Sequence, residues 1–155
     1  MNSAHLHLML NHFPVVGLVF TLALLGWGAL RKNPSLTKAG FAALVVVAML
    51  AVPAFLTGEP AEKIAEPLPG VSHPIIEQHE DVAKAAFIVT LVAGVAALLG
   101  LWLTRGRAVA AWCASSVLLV ALVAAGLMAW AANLGGKVRH TEIRGSAPVA
   151  NAHQD

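Results

Sequence analysis

Histidines dominate the chemistry that the sequence offers, and three of them stand together near its start. His5, His7 and His12 lie in the stretch "HLHLMLNHFP", directly ahead of a long apolar segment. An imidazole changes its charge near neutral pH, and its neutral ring is the commonest protein ligand for metals. His79 and His140 lie at the borders of two later apolar segments. Such a set could ligate haem, hold a non-haem metal ion or transfer protons.

Composition places these histidines at the edge of a membrane. The chain has 155 residues, of which 58% are hydrophobic and only 12% are charged, whereas about a quarter of the residues of a soluble domain are charged. Four uncharged stretches of about 18 to 26 residues match the length that a helix needs to cross a bilayer. The predicted spans are residues 13–30, 39–57, 85–104 and 108–133.

The links between the spans predict the orientation. The first link carries Arg31, Lys32 and Lys38, and the third carries Arg105 and Arg107, without any acidic residue. The connection between spans two and three is long and acidic. The positive-inside rule therefore places both short links in the cytoplasm. We expect a multi-pass protein of the bacterial inner membrane, with both termini and all seven histidines on the periplasmic side.

The same links predict the fold. Short loops make antiparallel hairpins of spans one and two and of spans three and four, so the expected fold is an all-α, integral-membrane, four-helix up-down bundle. Span four is rich in alanine, glycine and serine, which let membrane helices approach closely. Residues 1–145 are expected to form this single domain, and residues 146–155 a disordered tail. Cys113 is the only cysteine, which excludes a disulfide within the chain.

Helix-start signals predict how the histidines are placed. Ser3 is a plausible cap for a helix that begins before the first span and carries Pro14 as a kink. The stretch "GVSHPIIEQHEDVAK" predicts another helix start, capped at Ser72 or His73 and followed by a proline. That helix should run through His79 into span three.

A helix-end signal closes span four. Gly135 and Gly136 predict a C-terminal cap, after which the chain could turn back over the end of the bundle. The turn would bring His140 and Glu142 towards the other histidines. Three carboxylates of the middle connection are interpreted as a solvated loop face: Glu59, Glu62 and Glu66.

Ligation of haem b is the leading hypothesis. A bis-imidazole haem needs two neutral histidines on different helices, an apolar slot and polar partners for its propionates. We expect His12 and His79 to be the first ligand pair, because each stands at the border of a span on the same side. His7 and His140 would form a second pair or support the first. Arg139 and Arg144 would pair with the propionates. The chain would then be a small electron-transfer subunit that exchanges electrons with quinol and a periplasmic cytochrome or iron–sulfur protein.

Two other interpretations stay open. In the first, the same histidines and Glu80 hold a non-haem metal ion such as zinc, iron or copper. In the second, the chain is a cofactor-free structural anchor of a larger membrane complex. The sequence offers no nucleophile, phosphate loop or acid pair in a setting suited to catalysis, so a non-enzymatic role is favoured. The basic residues form no face for nucleic acid, and the expected partners are the lipid bilayer, a quinone, a redox protein and a second copy of the chain.

The opening motif resembles that of a bacterial family of four-helix membrane domains of unknown function. The family begins with a histidine, a few apolar residues and then His-Phe-Pro, as "HLMLNHFPVVGL" does here, although Leu8 stands where the family has proline. Further motif positions are matched at Gly58, His79, Gly135, Gly136, His140 and Gly145. Some members are joined to Rieske-type iron–sulfur domains. The resemblance therefore implies a functional histidine set and redox partners.

Overall fold

The computed structural model describes residues 2–105 and 107–144, and within them all regular structure is helical. The helices are α1 (Ser3–Leu10), α2 (His12–Leu30), α3 (Pro34–Leu56), α4 (Gly58–Ala65), α5 (His73–Leu103), α6 (Ala111–Arg139) and a short 3-10 helix (Thr141–Ile143). The all-α prediction is confirmed. Four helical segments, centred on α2, α3, α5 and α6, are long and apolar enough to cross a membrane. Gly145 and the predicted tail, residues 146–155, lie outside the described residues.

The four long helices pack side by side around one core. α2 lies against α3 and α6, and α5 also lies against α3 and α6. Leu18, Phe41 and Ala121 are buried in the shared apolar core. Large apolar side chains such as Val19 and Leu122 are exposed on the outer faces. Such faces suit a bundle that is surrounded by lipid rather than by water.

Glycine sets how closely the helices approach. A Cβ atom added at Gly94 of α5 would overlap the Cβ atom of Ala48 on α3. A Cβ atom at Gly100 would lie 2.5 Å from Cε2 of Phe41, which is fully buried. α3 and α5 are therefore packed at a distance that only glycine permits, as is common in membrane bundles.

The first helix has a one-residue break at Asn11, where the backbone stays in the helical region, and Ser3–Leu30 remains one apolar segment, as expected of a helix kinked near Pro14. Asn2, not Ser3, caps α1, because its side chain accepts a hydrogen bond from the backbone N–H of residue 5 at 2.9 Å. The Ser3 hydroxyl instead donates to a backbone carbonyl oxygen of α4 at 2.9 Å. α1 ends at Leu10 and α2 begins after Asn11. Pro14 explains the break, since it has no N–H for the Leu10 carbonyl and its ring crowds that group.

The start of α5 confirms one prediction and the end of α6 contradicts another. α5 begins at His73 with Ser72 in the capping position, as predicted. α6, however, continues through Gly135 and Gly136 to Arg139. The two glycines therefore lie inside the helix. Gly135 leaves space there for the ring of His79 from α5.

One end of the bundle collects α1, α4, the start of α5 and the end of α6. The contacts that join them run from α1 to α4, from α5 to α6, and from the α4–α5 connection to the residues after α6. We call this region, residues 2–14, 54–80 and 131–144, the histidine end.

Candidate functional site at the histidine end

His7 of α1 is held against the end of α3. Its Nδ1–H donates to the carbonyl oxygen of Ala54 at 3.0 Å, and Nδ1 lies 3.2 Å from Oγ1 of Thr57. The Thr57 hydroxyl donates to the same carbonyl oxygen at 2.9 Å, so His7 is a second donor to a carbonyl group near the end of α3. A Cβ atom at Gly58 would lie 3.8 Å from Cε1 of His7, in ordinary van der Waals contact. The ring is half-buried and fixed by α3.

His79 of α5 is held against α6 in the same manner. Its Nδ1–H donates to the carbonyl oxygen of Ala131 at 2.9 Å. The ring lies over Gly135, where a Cβ atom would be 3.2 Å from Cε1 and 3.4 Å from Nδ1 of His79. An alanine at this position would therefore push on the ring. This explains why a glycine stands inside α6 at a point where the sequence predicted a helix end.

The hydrogen bonds of His7 and His79 define where each neutral ring carries its proton. A carbonyl oxygen only accepts hydrogen bonds, so Nδ1 must be protonated in both rings. Nε2 of each neutral ring then presents a lone pair. Histidines that ligate metals usually show this arrangement, with one nitrogen on the metal and the other donating to a carbonyl or carboxylate group.

His7 and His79 lie at the same end of the bundle. α1, which carries His7, packs against α4, and Glu62 of α4 lies beside Glu80, the neighbour of His79 in α5. The structure thus places His7 and His79 on neighbouring elements, whereas the sequence prediction paired His12 with His79.

His12 has a different set of neighbours. It opens α2, is exposed, and donates its Nδ1–H to the carbonyl oxygen of Leu8 at 2.6 Å. It also lines an apolar groove between α2 and α3. These neighbours belong to α1, α2 and α3, while His79 contacts α6. The pairing of His12 with His79 stays a prediction.

His140 follows α6 and pairs with a carboxylate close to it in the sequence. Its Nδ1 lies 2.8 Å from Oε1 of Glu142, and both side chains are exposed. The pKa of Glu142 is lowered by its own backbone N–H and, next, by the hydrogen bond from His140. The chain does turn after α6, and Cγ2 of Thr141 comes within 3.6 Å of a Cβ position at Gly70.

The two predicted propionate partners differ in their surroundings. Arg144 donates through Nε to the carbonyl oxygen of Lys137 at 2.7 Å and through Nη2 to that of Val138 at 2.6 Å. Its guanidinium group therefore caps the end of α6 and keeps Nη1 as a further donor. Arg139 is the last residue of α6 and is exposed.

Carboxylates that the sequence analysis assigned to a solvated loop form a cluster between α4 and α5. Glu62 of α4 lies beside Glu80 of α5, so the two carboxyl groups can share a hydrogen bond when one of them is protonated. Beside them, His73 lies 3.1 Å from Glu66 through Nδ1 and 3.5 Å from Glu77 through Nε2. Glu62 stands beyond the apolar part of α3. Its pKa is raised to about 7 by the hydrogen bond with Glu80, then by burial and by the charges of Glu80 and Glu66, against a smaller opposing effect of His73.

Glu62 is the main residue of this region that the sequence analysis missed. The signal was present, since Glu59 and Lys63 are four residues apart and form an ion pair of 2.7 Å along α4. Such a spacing favours a helix rather than a loop. No local pattern, however, indicates that this helix lies beside Glu80.

Among residues 2–105 and 107–144, no three histidine, cysteine, aspartate or glutamate side chains are grouped closely enough to hold a metal ion. The arrangement at the histidine end is instead a pair of oriented imidazoles beside a carboxyl pair.

Comparisons with known proteins add no assignment. No family model matches the chain, and no curated protein or solved structure gives a match. The resemblance to the family of four-helix membrane domains therefore stays a prediction, and the function is inferred from the positions of the side chains.

Proposed function

We propose that the chain is a small membrane electron-transfer subunit that binds haem b through His7 and His79. One observation carries the proposal: two half-buried imidazoles, on different helices at one end of the bundle, each have Nδ1 engaged by a backbone carbonyl group. Each ring thus offers Nε2 as a ligand. The electron partners would be a membrane quinol and a periplasmic cytochrome or iron–sulfur protein.

The donor set favours haem over a non-haem ion. A bis-imidazole haem needs two histidines from the protein, and His7 and His79 would supply them. A zinc, iron or copper site would need a further ligand such as Glu80, whose carboxyl group is engaged with Glu62. When bound, haem b would supply a one-electron redox couple, while the hydrogen bonds to Ala54 and Ala131 orient the two imidazoles. Arg144, through Nη1, and Arg139 would face its propionates.

We also propose an up-down topology in the bacterial inner membrane with the histidine end on the periplasmic side. The opposite end supports this orientation because it is basic. Lys38 Nζ donates to the carbonyl oxygen of Thr104 at 3.4 Å, which joins the two short links. Arg31 lies over the ring of Trp27, with Cζ 5.0 Å from its centroid. Basic residues mark the cytoplasmic side of many membrane proteins, and tryptophan marks the interface on either side.

Asparagine variants separate ligation from hydrogen bonding. The Nδ2–H of asparagine can donate to the same carbonyl group as Nδ1–H of histidine, but it offers no Nε2 lone pair. We expect His7→Asn and His79→Asn to lose most of the haem and to fold with unfolding temperatures close to that of the haem-free wild type. His140→Asn, whose histidine is exposed, is the matched control and should retain haem. The haem-to-protein ratio after detergent purification is the measurement.

Two results would overturn the proposal. Wild-type haem content in both His7→Asn and His79→Asn would show that these residues are not the ligands. A wild-type protein without haem, after production with ample haem, would exclude the function itself. Metal analysis of that sample would then separate a non-haem metal protein from a cofactor-free anchor.

A further inference from the structure

A groove between α2 and α3 begins at His12. It has a volume of about 520 Å³ and extends along α2 as far as Phe20. Among the described residues that line it, His12 is the only one with a polar side chain. Its floor lies where the helices touch, since a Cβ atom at Gly17 would be 2.6 Å from Cγ2 of Val47. The groove is therefore shaped by close contact of the two helices.

His12 gives this groove one polar group of a defined kind. Because its Nδ1–H donates to the carbonyl oxygen of Leu8 at 2.6 Å, Nε2 of the neutral ring is an acceptor. Such a nitrogen selects a neutral hydrogen-bond donor, such as a hydroxyl group. The phosphate or carboxylate head group of a lipid, which accepts hydrogen bonds, has no matching donor on this ring.

Aromatic side chains of the groove favour a particular kind of ligand. Phe13 and Phe20 line the groove and are 53% and 66% exposed. Their rings can pack against a flat aromatic ligand in offset or edge-to-face contacts. A ligand with an aromatic ring, hydroxyl donors and an apolar tail would match the acceptor, the aromatic side chains and the apolar length of the groove.

We infer that this groove binds a membrane hydroquinone, with one of its hydroxyl groups donating a hydrogen bond to Nε2 of His12. The ring and the first part of the tail would pack between α2 and α3. The groove's volume lies within the range of about 300 to 1,000 Å³ that is usual for small-molecule sites. This inference gives the proposed quinol partner a binding site and rests on the proposed electron-transfer function, although the binding itself needs no haem.

The test compares the two redox forms of one probe. A benzohydroquinone with a decyl tail and the corresponding quinone are titrated anaerobically into the detergent-purified protein by calorimetry. The hydroquinone should bind about tenfold more tightly, which corresponds to one hydrogen bond of ordinary strength. His12→Phe should remove this preference and keep the apolar packing. His5→Phe, at an exposed histidine of α1 outside the groove, is the matched control and should keep it.

A second variant tests the groove itself. Ala43→Phe should fill the groove and weaken binding of both forms at least tenfold, whereas Ala129→Phe on an exposed part of α6 should not. Equal affinity of the wild type for both redox forms would overturn the inference, because an apolar chain alone would then explain binding. Unchanged binding in His12→Phe or Ala43→Phe would also overturn it. A haem-free wild type that still prefers the hydroquinone would refute the haem proposal while supporting this site.

Discussion

Replacing Gly135 with alanine tests whether the position of the His79 ring depends on a missing side chain. A Cβ atom at this position would lie 3.2 Å from Cε1 and 3.4 Å from Nδ1 of His79. These distances are shorter than ordinary van der Waals contact, so the ring must move by a few tenths of an ångström. The movement would strain the 2.9 Å hydrogen bond from Nδ1 to the carbonyl oxygen of Ala131. Gly136 is the matched control, because its Cβ atom would meet only Cδ1 of Ile143, at 3.7 Å.

The size of the effect follows from two opposing contributions. Alanine in place of glycine inside a helix stabilises it by about 0.5 to 1 kcal/mol, and both variants gain this. Gly135→Ala also loses most of a hydrogen bond that is worth about 1 kcal/mol. Gly136→Ala should therefore be stabilised, whereas Gly135→Ala should be close to the wild type. The two unfolding temperatures should differ by about 2 to 4 °C for a chain of this size.

The assay is thermal unfolding of both variants in the same detergent, followed by circular dichroism, together with the haem-to-protein ratio. Gly135→Ala should also retain less haem, because the His79 ring is displaced. An equal rise in unfolding temperature for the two variants, with equal haem content, would refute the assigned role of Gly135.

Three further predictions concern the carboxyl cluster and the core. The pKa of Glu62 is raised from about 4.5 to about 7, so the folded state binds more protons in that interval and the free energy of unfolding should fall as the pH rises through it. Glu62→Gln should flatten this pH dependence in thermal unfolding, and an unchanged slope would contradict the assignment. The hydroxyl group of Thr21 is buried and has no hydrogen-bond partner among the residues that the structure describes, so Thr21→Val should leave stability unchanged or raise it by up to about 1 kcal/mol. Thr90→Val should lower it, because the Thr90 hydroxyl donates to a backbone carbonyl at 2.7 Å; the reverse order would contradict this account. Gly94→Ala should force α3 and α5 apart and cost about 1 to 3 kcal/mol, while Gly126→Ala, which meets nothing within 4 Å, should be tolerated; equal stability of the two would contradict the close packing.

The helices were predictable from the sequence because the bilayer imposes a strong pattern. An uncharged run of about 20 residues must satisfy its backbone groups as a helix in lipid, and the four runs do lie in α2, α3, α5 and α6. Helix boundaries were less predictable. Asn2 caps α1 in place of Ser3, and α6 runs through the glycine pair that predicted its end.

The site was less predictable than the fold because its contacts are distant in sequence. Two successive glycines, such as Gly135 and Gly136, usually indicate a helix end. Here Gly135 instead leaves space for the His79 ring of α5. The choice between His7 and His12 likewise depends on Ala54, which is 47 residues from His7. Sequence spacing showed that histidines gather at one end of the bundle. It did not show which backbone carbonyl group each ring contacts.

The absorption spectrum of the purified protein, oxidised and then reduced with dithionite, tests the central claim most directly. We predict a Soret band and a sharp α band of reduced haem b, and no spectral change when carbon monoxide is added, because His7 and His79 would occupy both axial positions. A spectrum without a Soret band would contradict haem binding, and a carbon monoxide adduct would contradict ligation by two histidines.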